Sequence, residues 1–466
     1  MATPEPSQRP ARNGSRRNPK AANAAALLFT WGSLAMVLVA GLLLLHVFQE
    51  DVEPYVGYYI LAVSGTAVLF IYLTVALRKE RIIPVQGRVP IVIWTCIVLA
   101  AGLAGTIIAS PKIAAENMAT SPRLTWIDGQ DPSTSITISW ITTFPEATHV
   151  LYSTNRWTLD HASTDGPATL FHHVTLSGLA PNQTYYYQVP GHPVKQFKTA
   201  PVGQFNYTFY AWSDHRTNTD ILSSYTQPNA VASIASYAAT TGVPGAFTIF
   251  TGDMTSKAND YMSWKAFFDD IAYQDWTSNK SLAIAYGNHE RYGDAEKSIV
   301  KNYFPYPQKA DTNFFYSFDY GGVHFIMLDP YLEGHSWASN FTTTQLAWLE
   351  ADLAAHQDAN FTLIFMHPPP SSLTGVRGEL IKLVNVGGYR IDMAFCGHQH
   401  VFERRTIAST PPIDVLVLGL GGNPNNEYKS NACDTAFARF DVTTTAITVT
   451  SIFINGTILD SFTIAA

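Results

Sequence analysis

Charge is scarce in this chain of 466 residues: only 14% are Asp, Glu, Lys or Arg, against about a quarter in an ordinary soluble domain. Cysteine is scarcer still. Three cysteines cannot staple a fold; Cys96 falls in an apolar run, and Cys396 and Cys433 read as buried thiols, with a single bridge between them left open. Nor is there an excess of basic residues, since 29 Lys and Arg stand against 36 Asp and Glu for a net charge of -7. A broad positive field is absent, so nucleic acid is not an expected partner. Apolar residues make up 47% of the chain, enough for two or three domain cores and too many for disorder.

The charge deficit is uneven. Three stretches without Asp, Glu, Lys or Arg, at 21–49, 54–77 and 89–111, crowd the first quarter, and each is long enough to cross a bilayer as a helix. Arg9, Arg12, Arg16, Arg17 and Lys20 precede the first, and Arg78, Lys79, Arg81 and Arg88 follow the second, whereas Glu50, Asp51 and Glu53 lie between the two. Basic flanks stay on the cytoplasmic side. The pattern predicts a cytoplasmic tail at 1–20, a three-helix transmembrane anchor at 21–111 and an extracytoplasmic remainder, in a multi-pass protein of the cell membrane. The first run is too long for the core of a signal peptide. Because no Asp, Glu, Lys or Arg lies inside the spans, they are expected to anchor rather than to transport. Six sequons, at Asn182, Asn206, Asn279, Asn340, Asn360 and Asn455, fall in the part placed outside and are expected glycosylation sites if the host glycosylates.

From about residue 123 to 199 the texture is short alternating strands. Ile136, Ile138 and Trp140 face one way and Thr137, Ser139 and Ile141 the other, as in a strand half buried against a second sheet. LSGLAPNQTYYYQV (176–189) places a Pro-Asn turn before another aromatic strand, and such spacing suggests a small sandwich. The stretch resembles a fibronectin type III-like module, expected over 116–200. His172 and His173 read as a solvated strand edge. After Pro201, apolar runs alternate with helical stretches, as where Leu346, Leu349 and Leu353 recur on one face of 343–355. That alternation predicts an α/β domain over 203–466.

The apolar runs share an ending. FNYTFYAWSD closes on Asp214, AFTIFTGD on Asp253, SLAIAYGNH on Asn288 and His289, FTLIFMH on His367, and MAFCGHQH on His398 and His400. Each fragment alone is weak, because Gly-Asp is common in turns, Asn-His in loops, and His-x-His can simply present two rings on one strand face. Apolar strands, however, have no structural need to finish in Asp, Asn and His five times in order. Jointly the endings read as a metal centre in a crevice beyond the carboxyl ends of the strands.

The order Asp214, Gly252-Asp253, GNHE (287–290), His367 and GHQH (397–400) resembles the calcineurin-like metallophosphoesterase superfamily, and within it the purple acid phosphatases. YSFDYGGVHFIMLD (316–329), QLAWLEADLA (345–354), GHQHVFER (397–404) and VLGLGGNPN (417–425) resemble family segments as well, so the likeness covers roughly 120–466. It implies a sandwich module followed by an α/β metallophosphoesterase domain of two packed mixed sheets flanked by helices. It further implies a metal-dependent phosphoric ester hydrolase, acid phosphatase-like, that attacks a phosphorylated small molecule or other phosphoester by metal hydroxide. Asp253 would bridge two ions, with Asn288, His367 and His398 completing one site and Asp214 and His400 belonging to the other. One or two ions of Fe, Zn or Mn suit those donors. His289 would be the catalytic proton donor beside the leaving group, oriented by Glu290, and Asn288 would also touch substrate.

Two departures from the family fall on one ion site. Purple acid phosphatases carry Asp-x-Gly and Gly-Asp-x-x-Tyr, and the tyrosinate gives the colour. Here the first motif is Asp214-His215-Arg216 and the second is GDMTS, with Ser256 at the tyrosine position, so no purple chromophore is expected. Arg216 cannot ligate a cation, but its fork matches phosphate oxygens; substrate binding and pairing with a local carboxylate stand side by side. His215 is open as a compensating ligand. The leading function is a membrane-anchored extracytoplasmic phosphatase. A catalytically impaired cell-surface binding module and a phosphodiesterase on the same fold are the alternatives.

Overall fold

The structure, a computed structural model, describes residues 118–163, 166–215, 230–294, 297–306, 314–331, 340–421 and 435–466. All of these belong to one unit, Ala114–Ala466. No helix among the described residues is long and apolar enough to cross a membrane. The longest of them, Thr343–Ala355, has 13 residues, whereas a span needs about 20. This corrects the expected transmembrane anchor and the multi-pass, extracytoplasmic localisation built on it. The segments expected to be the tail and the spans, 1–20 and 21–111, lie outside the described residues.

Two large mixed sheets face each other. The nine-stranded sheet has at its centre the parallel strands Tyr207–Trp212, Phe247–Phe250 and Ser281–Ile284. The six-stranded sheet has the parallel strands Val323–Met327, Phe361–Phe365, Met393–Cys396 and Ile413–Leu418. FTIF, SLAI, FTLIF and MAFC are buried at every position, because parallel strands are covered on both faces and read as continuous apolar runs. Between the sheets lies an aromatic layer: Phe209 stacks on Phe440 at 4.4 Å and meets Phe325 edge-on at 5.3 Å. Helices cover the outer faces. Thr343–Ala355 and Thr374–Asn385 bury Leu349, Leu353, Leu380 and Val384 in a core shared with Ile326, Ile364 and Val415. On the other side Phe267 of helix Tyr261–Ile271 packs on Phe250 at 5.5 Å.

The sandwich module is not a free-standing pair of sheets. One of its sheets is its own four strands, which include Leu151–Ser153 and Thr184–Gln188. The other is an arm of the nine-stranded sheet, joined where Arg123–Thr125 runs parallel to Ser281–Ile284 with Leu124 opposite Ser281. Strand Ile136–Thr148 is consequently buried on both faces over its first seven residues, not on one. Its neighbour Gly166–Leu176 closes over helix Ser298–Tyr303, where Phe171 meets Tyr303 edge-on at 5.7 Å and His173 Nε2 donates to the Asn302 carbonyl at 3.1 Å. His172 is fully buried rather than solvated, stacked on Trp140 at 4.5 Å with Thr142 and Thr148 hydroxyls on its two nitrogens at 2.9 and 2.8 Å. Cys396 is a buried free thiol, and Cys433 lies outside the described residues.

Candidate metal centre

Trp212, Phe250 and Ile284 stand in one row across the nine-stranded sheet, and Asp214, Asp253 and Asn288 follow just beyond their carboxyl ends. Facing them, Phe365 and Phe395 are paired in the six-stranded sheet, and His367, His398 and His400 follow. Four of these residues, Asp214, Asp253, His398 and His400, have positive φ, at 59°, 59°, 70° and 43°. Left-handed backbone at non-glycine residues costs about 1–3 kcal/mol apiece and persists where the surroundings over-determine it. Here they do. The Asp214 N–H donates to the Gly252 carbonyl at 3.0 Å, and the His398 N–H donates to Asp214 Oδ2 at 2.9 Å. The loops approach so closely that a Cβ at Gly397 would run into Ser213 Oγ and Asp214 Oδ2, and one at Gly252, itself at φ +93°, would lie 2.5 Å from the Gly287 nitrogen.

Donor atoms of Asp214, Asp253 and His400 all lie within 4.8 Å of one another. His400 Nε2 is 3.3 Å from Asp214 Oδ1, and His367 Nε2 is 3.1 Å from Asp253 Oδ1 and 4.0 Å from Asp214 Oδ1. Asn288 turns Oδ1 toward His398 Nδ1 at 3.0 Å while its Nδ2 donates to the Tyr292 hydroxyl at 3.0 Å. All six expected ligands therefore converge. Both carboxylates are buried, and the ion pairs described for them are with histidines. Two such charges together require a cation.

Protonation in this pocket follows from that requirement. Burial works against a charge on His367, but the carboxylates of Asp253 and Asp214 outweigh it and push the imidazole up to about 9. Burial would raise both carboxyls; the His367 charge opposes it and holds each below the ordinary carboxylate range. His398 is open at the mouth yet crowded by protein on its other sides, and that desolvation, with the nearby His367 charge, lowers it to about 4. The His367 ring is oriented from behind: Nδ1–H donates to the Thr251 carbonyl at 2.7 Å. Its Nε2 is sealed from solvent and lacks a well-aligned hydrogen bond. An imidazole anchored through one nitrogen, with the other aimed at buried carboxylates, is the arrangement of a metal ligand. The set of two carboxylates, an amide oxygen and three imidazoles fits Zn, Mn or Fe.

His289 stands at the rim. Its Nδ1–H donates to the Ser256 carbonyl at 2.6 Å, its ring lies edge-on to Tyr292 at 4.7 Å, and Nε2 is 3.7 Å from Asp253 Oδ2. Glu290 does not have the role expected of it as the residue orienting His289. Its buried carboxylate accepts the backbone N–H groups of Asp253, Met254, Thr255 and Gly287 at 2.9, 2.6, 3.2 and 2.8 Å. Burial first, and the Asp253 charge second, push it up to about 7. The signal was present in GNHE, where a Glu three residues after Gly287 can reach back as in a capping box. His215 is held through Nε2 by Asp270 Oδ2 at 2.8 Å and lies edge-on to Phe267 at 5.6 Å, with Nδ1 buried and without a hydrogen-bond partner among the described residues; it is not part of the donor group formed by Asp214, Asp253 and His400. Arg216 lies outside the described residues.

Residues 120–219 match the family model described as Purple acid Phosphatase, N-terminal domain, and residues 243–402 match that described as Calcineurin-like phosphoesterase. Purple acid phosphatase 23 of Arabidopsis thaliana is 28% identical over 302 residues, covering 54% of this chain and 63% of its own length. Purple acid phosphatase 15 of the same plant is 28% identical over 305 residues, covering 54% of each chain. The chain thus spans little more than half the length of these relatives. The solved structure of purple acid phosphatase PPD1 from yellow lupin (Lupinus luteus) seeds is similar with a TM-score of 0.58 at 18% identity, covering 74% of each chain. That likeness concerns the fold.

Proposed function

We propose that this chain, a purple acid phosphatase-like member of the calcineurin-like phosphoesterase superfamily, is a metal-dependent phosphatase. The observation that carries the reading is His367: an imidazole anchored to Thr251, whose sealed Nε2 faces Asp253 and Asp214 at 3.1 and 4.0 Å. Asp214, Asp253 and His400 would hold one ion, and Asp253, Asn288, His367 and His398 another, with Asp253 common to both. When bound, such ions act as Lewis acids toward phosphoryl oxygens and make water a stronger acid. His289 is the proton carrier. With Nδ1–H committed to the Ser256 carbonyl, Nε2 is the nitrogen that delivers a proton to the leaving-group oxygen. Asn288 positions rather than reacts, because its amide nitrogen is held by Tyr292. Arg216 is assigned to the substrate phosphate on its place two residues after Asp214 and its fork of donors. The same reading assigns a sandwich to 116–200 and a catalytic domain to 203–466; the first matched segment, 120–219, runs across that boundary and the second, 243–402, lies within the catalytic part.

A second reading is favoured by one observation. Among the described residues the donor group at the first ion's place consists of Asp214, Asp253 and His400 alone, a sparse set that suits a binding module with lapsed catalysis. The test is hydrolysis of a phosphate monoester and a phosphate diester by the full chain, stripped of metal and reloaded with Zn, Mn or Fe. Metal-dependent turnover with the monoester faster is expected. A faster diester would make it a phosphodiesterase, and metal uptake without turnover in every case would establish the binding module.

A further inference from the structure

A second constellation stands at the other end of the six-stranded sheet. His324, on strand Val323–Met327, is opposite Asp319 of strand Tyr316–Tyr320 and beside Thr362 of strand Phe361–Phe365. Thr362 is five residues before His367, about 16 Å along the strand at roughly 3.3 Å per residue. The helix Thr343–Ala355 contributes Asp352, and His356 caps its C-terminus. Asp319, His324 and His356 present donor atoms within 4.8 Å of one another.

The hydrogen bonds sort these groups into an inner and an outer layer. His324 Nε2 lies 2.8 Å from Asp352 Oδ2, and His356 Nδ1–H donates to the Asp352 carbonyl at 2.7 Å. Asp352 is itself held, since Ser317 Oγ donates to its Oδ1 at 2.8 Å. Each ring is therefore tied from behind by one residue. That leaves His324 Nδ1 and His356 Nε2 both facing Asp319, at 2.8 Å from Oδ1 and 3.4 Å from Oδ2. The two rings are nearly parallel, 14° apart with centroids at 3.9 Å. Two protonated imidazoles so stacked repel each other, whereas two neutral rings would aim lone pairs at a carboxylate. One proton at His324 Nδ1, shared with Asp319, avoids both conflicts, and a single divalent cation in that proton's place does so while also engaging His356 Nε2. Donors about 3.3 Å apart are what tetrahedral zinc needs at roughly 2.0–2.1 Å per ligand, and the observed separations of 2.8 and 3.4 Å bracket that value.

We propose that Asp319, His324 and His356 form a second metal site, separate from the principal centre, that takes a zinc-class divalent cation through His324 Nδ1, His356 Nε2 and the Asp319 carboxylate. Asp352 is its positioning residue. Asp319 is exposed and His324 buried, so the remaining coordination position opens to water, and the ion pins the hairpin between the two strands to the end of the helix.

The experiment is equilibrium dialysis of the full chain against Zn(II), with metal per chain counted by elemental analysis. His356→Ala and Asp319→Asn should each bind one equivalent fewer than the wild type, while turnover by the loaded enzyme stays within about twofold. Asp352→Asn keeps the ligands but loosens them, and should weaken this one equivalent by roughly 10–100-fold. Equal zinc counts in the wild type and in both ligand variants, each with native circular dichroism, overturn the site and leave a protonated ion-pair cluster. Because the readout is metal counted at this cluster, its failure says nothing against the principal centre.

Discussion

The Glu290 carboxylate accepts the Asp253 backbone N–H at 2.9 Å, so the residue that would serve both ions is held from behind by an acid outside the proposed ligand set. Glu290→Gln replaces one acceptor oxygen by a donor and leaves N–H groups of the 253–255 loop or Gly287 unmet. Metal affinity should fall roughly 10–100-fold, the scale for residues that support ligands from behind. Calorimetric metal titration checks this, and unchanged affinity would show that the loop holds itself.

Asp253→Asn should remove metal and turnover together, because one carboxylate is common to both proposed ions. Elemental analysis and an assay on the same sample decide it. A variant that kept a full metal complement and normal rates would refute the ligand assignment.

His289→Ala should spare metal binding and slow turnover by about a hundredfold or more. The loss should shrink for substrates whose leaving group departs readily without a proton, and the limb of the pH profile that reports the proton donor should disappear. An equal loss across leaving groups would reduce His289 to a packing role.

His324 gives a pH dependence of stability. Burial alone would lower it, but hydrogen bonds to Asp319 and Asp352 hold it up at about 9, against about 6.5 in an unfolded chain. A raised folded-state value means that the stabilisation is complete below pH 6.5 and fades as pH rises through 9. Denaturant midpoints of the metal-free wild type and His324→Gln should therefore differ most at pH 6 and converge above pH 9. A gap independent of pH would mean that the imidazole is neutral throughout.

Much of the centre was legible because its grammar is local. An apolar strand that ends in Asp214 or His367 announces itself in a few residues, and parallel strands deliver such endings to one edge. What escaped depends on contacts far along the chain. A period-two pattern at 136–141 specifies one buried face; the second was buried by helix Ser298–Tyr303, more than 150 positions later. His173 meets the same helix at Asn302, whereas His172 is covered by Trp140, Thr142 and Thr148 of the neighbouring strand, contacts that a one-face pattern does not reveal. The segment containing Asp319 and His324 was recognised as a family stretch, but its chemistry appears only when Asp352 and His356 are brought alongside by a helix. The expected anchor rested on apolar runs and the charges that flank them, and no helix among the described residues meets the length that it requires.

The bond between Arg123–Thr125 and Ser281–Ile284 governs how this protein can be dissected. A gene cut between the two modules would strip Ser281–Ile284 of its neighbour and leave a bare row of amides and carbonyls within a few residues of Asn288. Unsatisfied strand borders recruit other chains. The shortened enzyme would then tend to clump, and the fault would lie in a lost partner strand rather than in any damaged catalytic group.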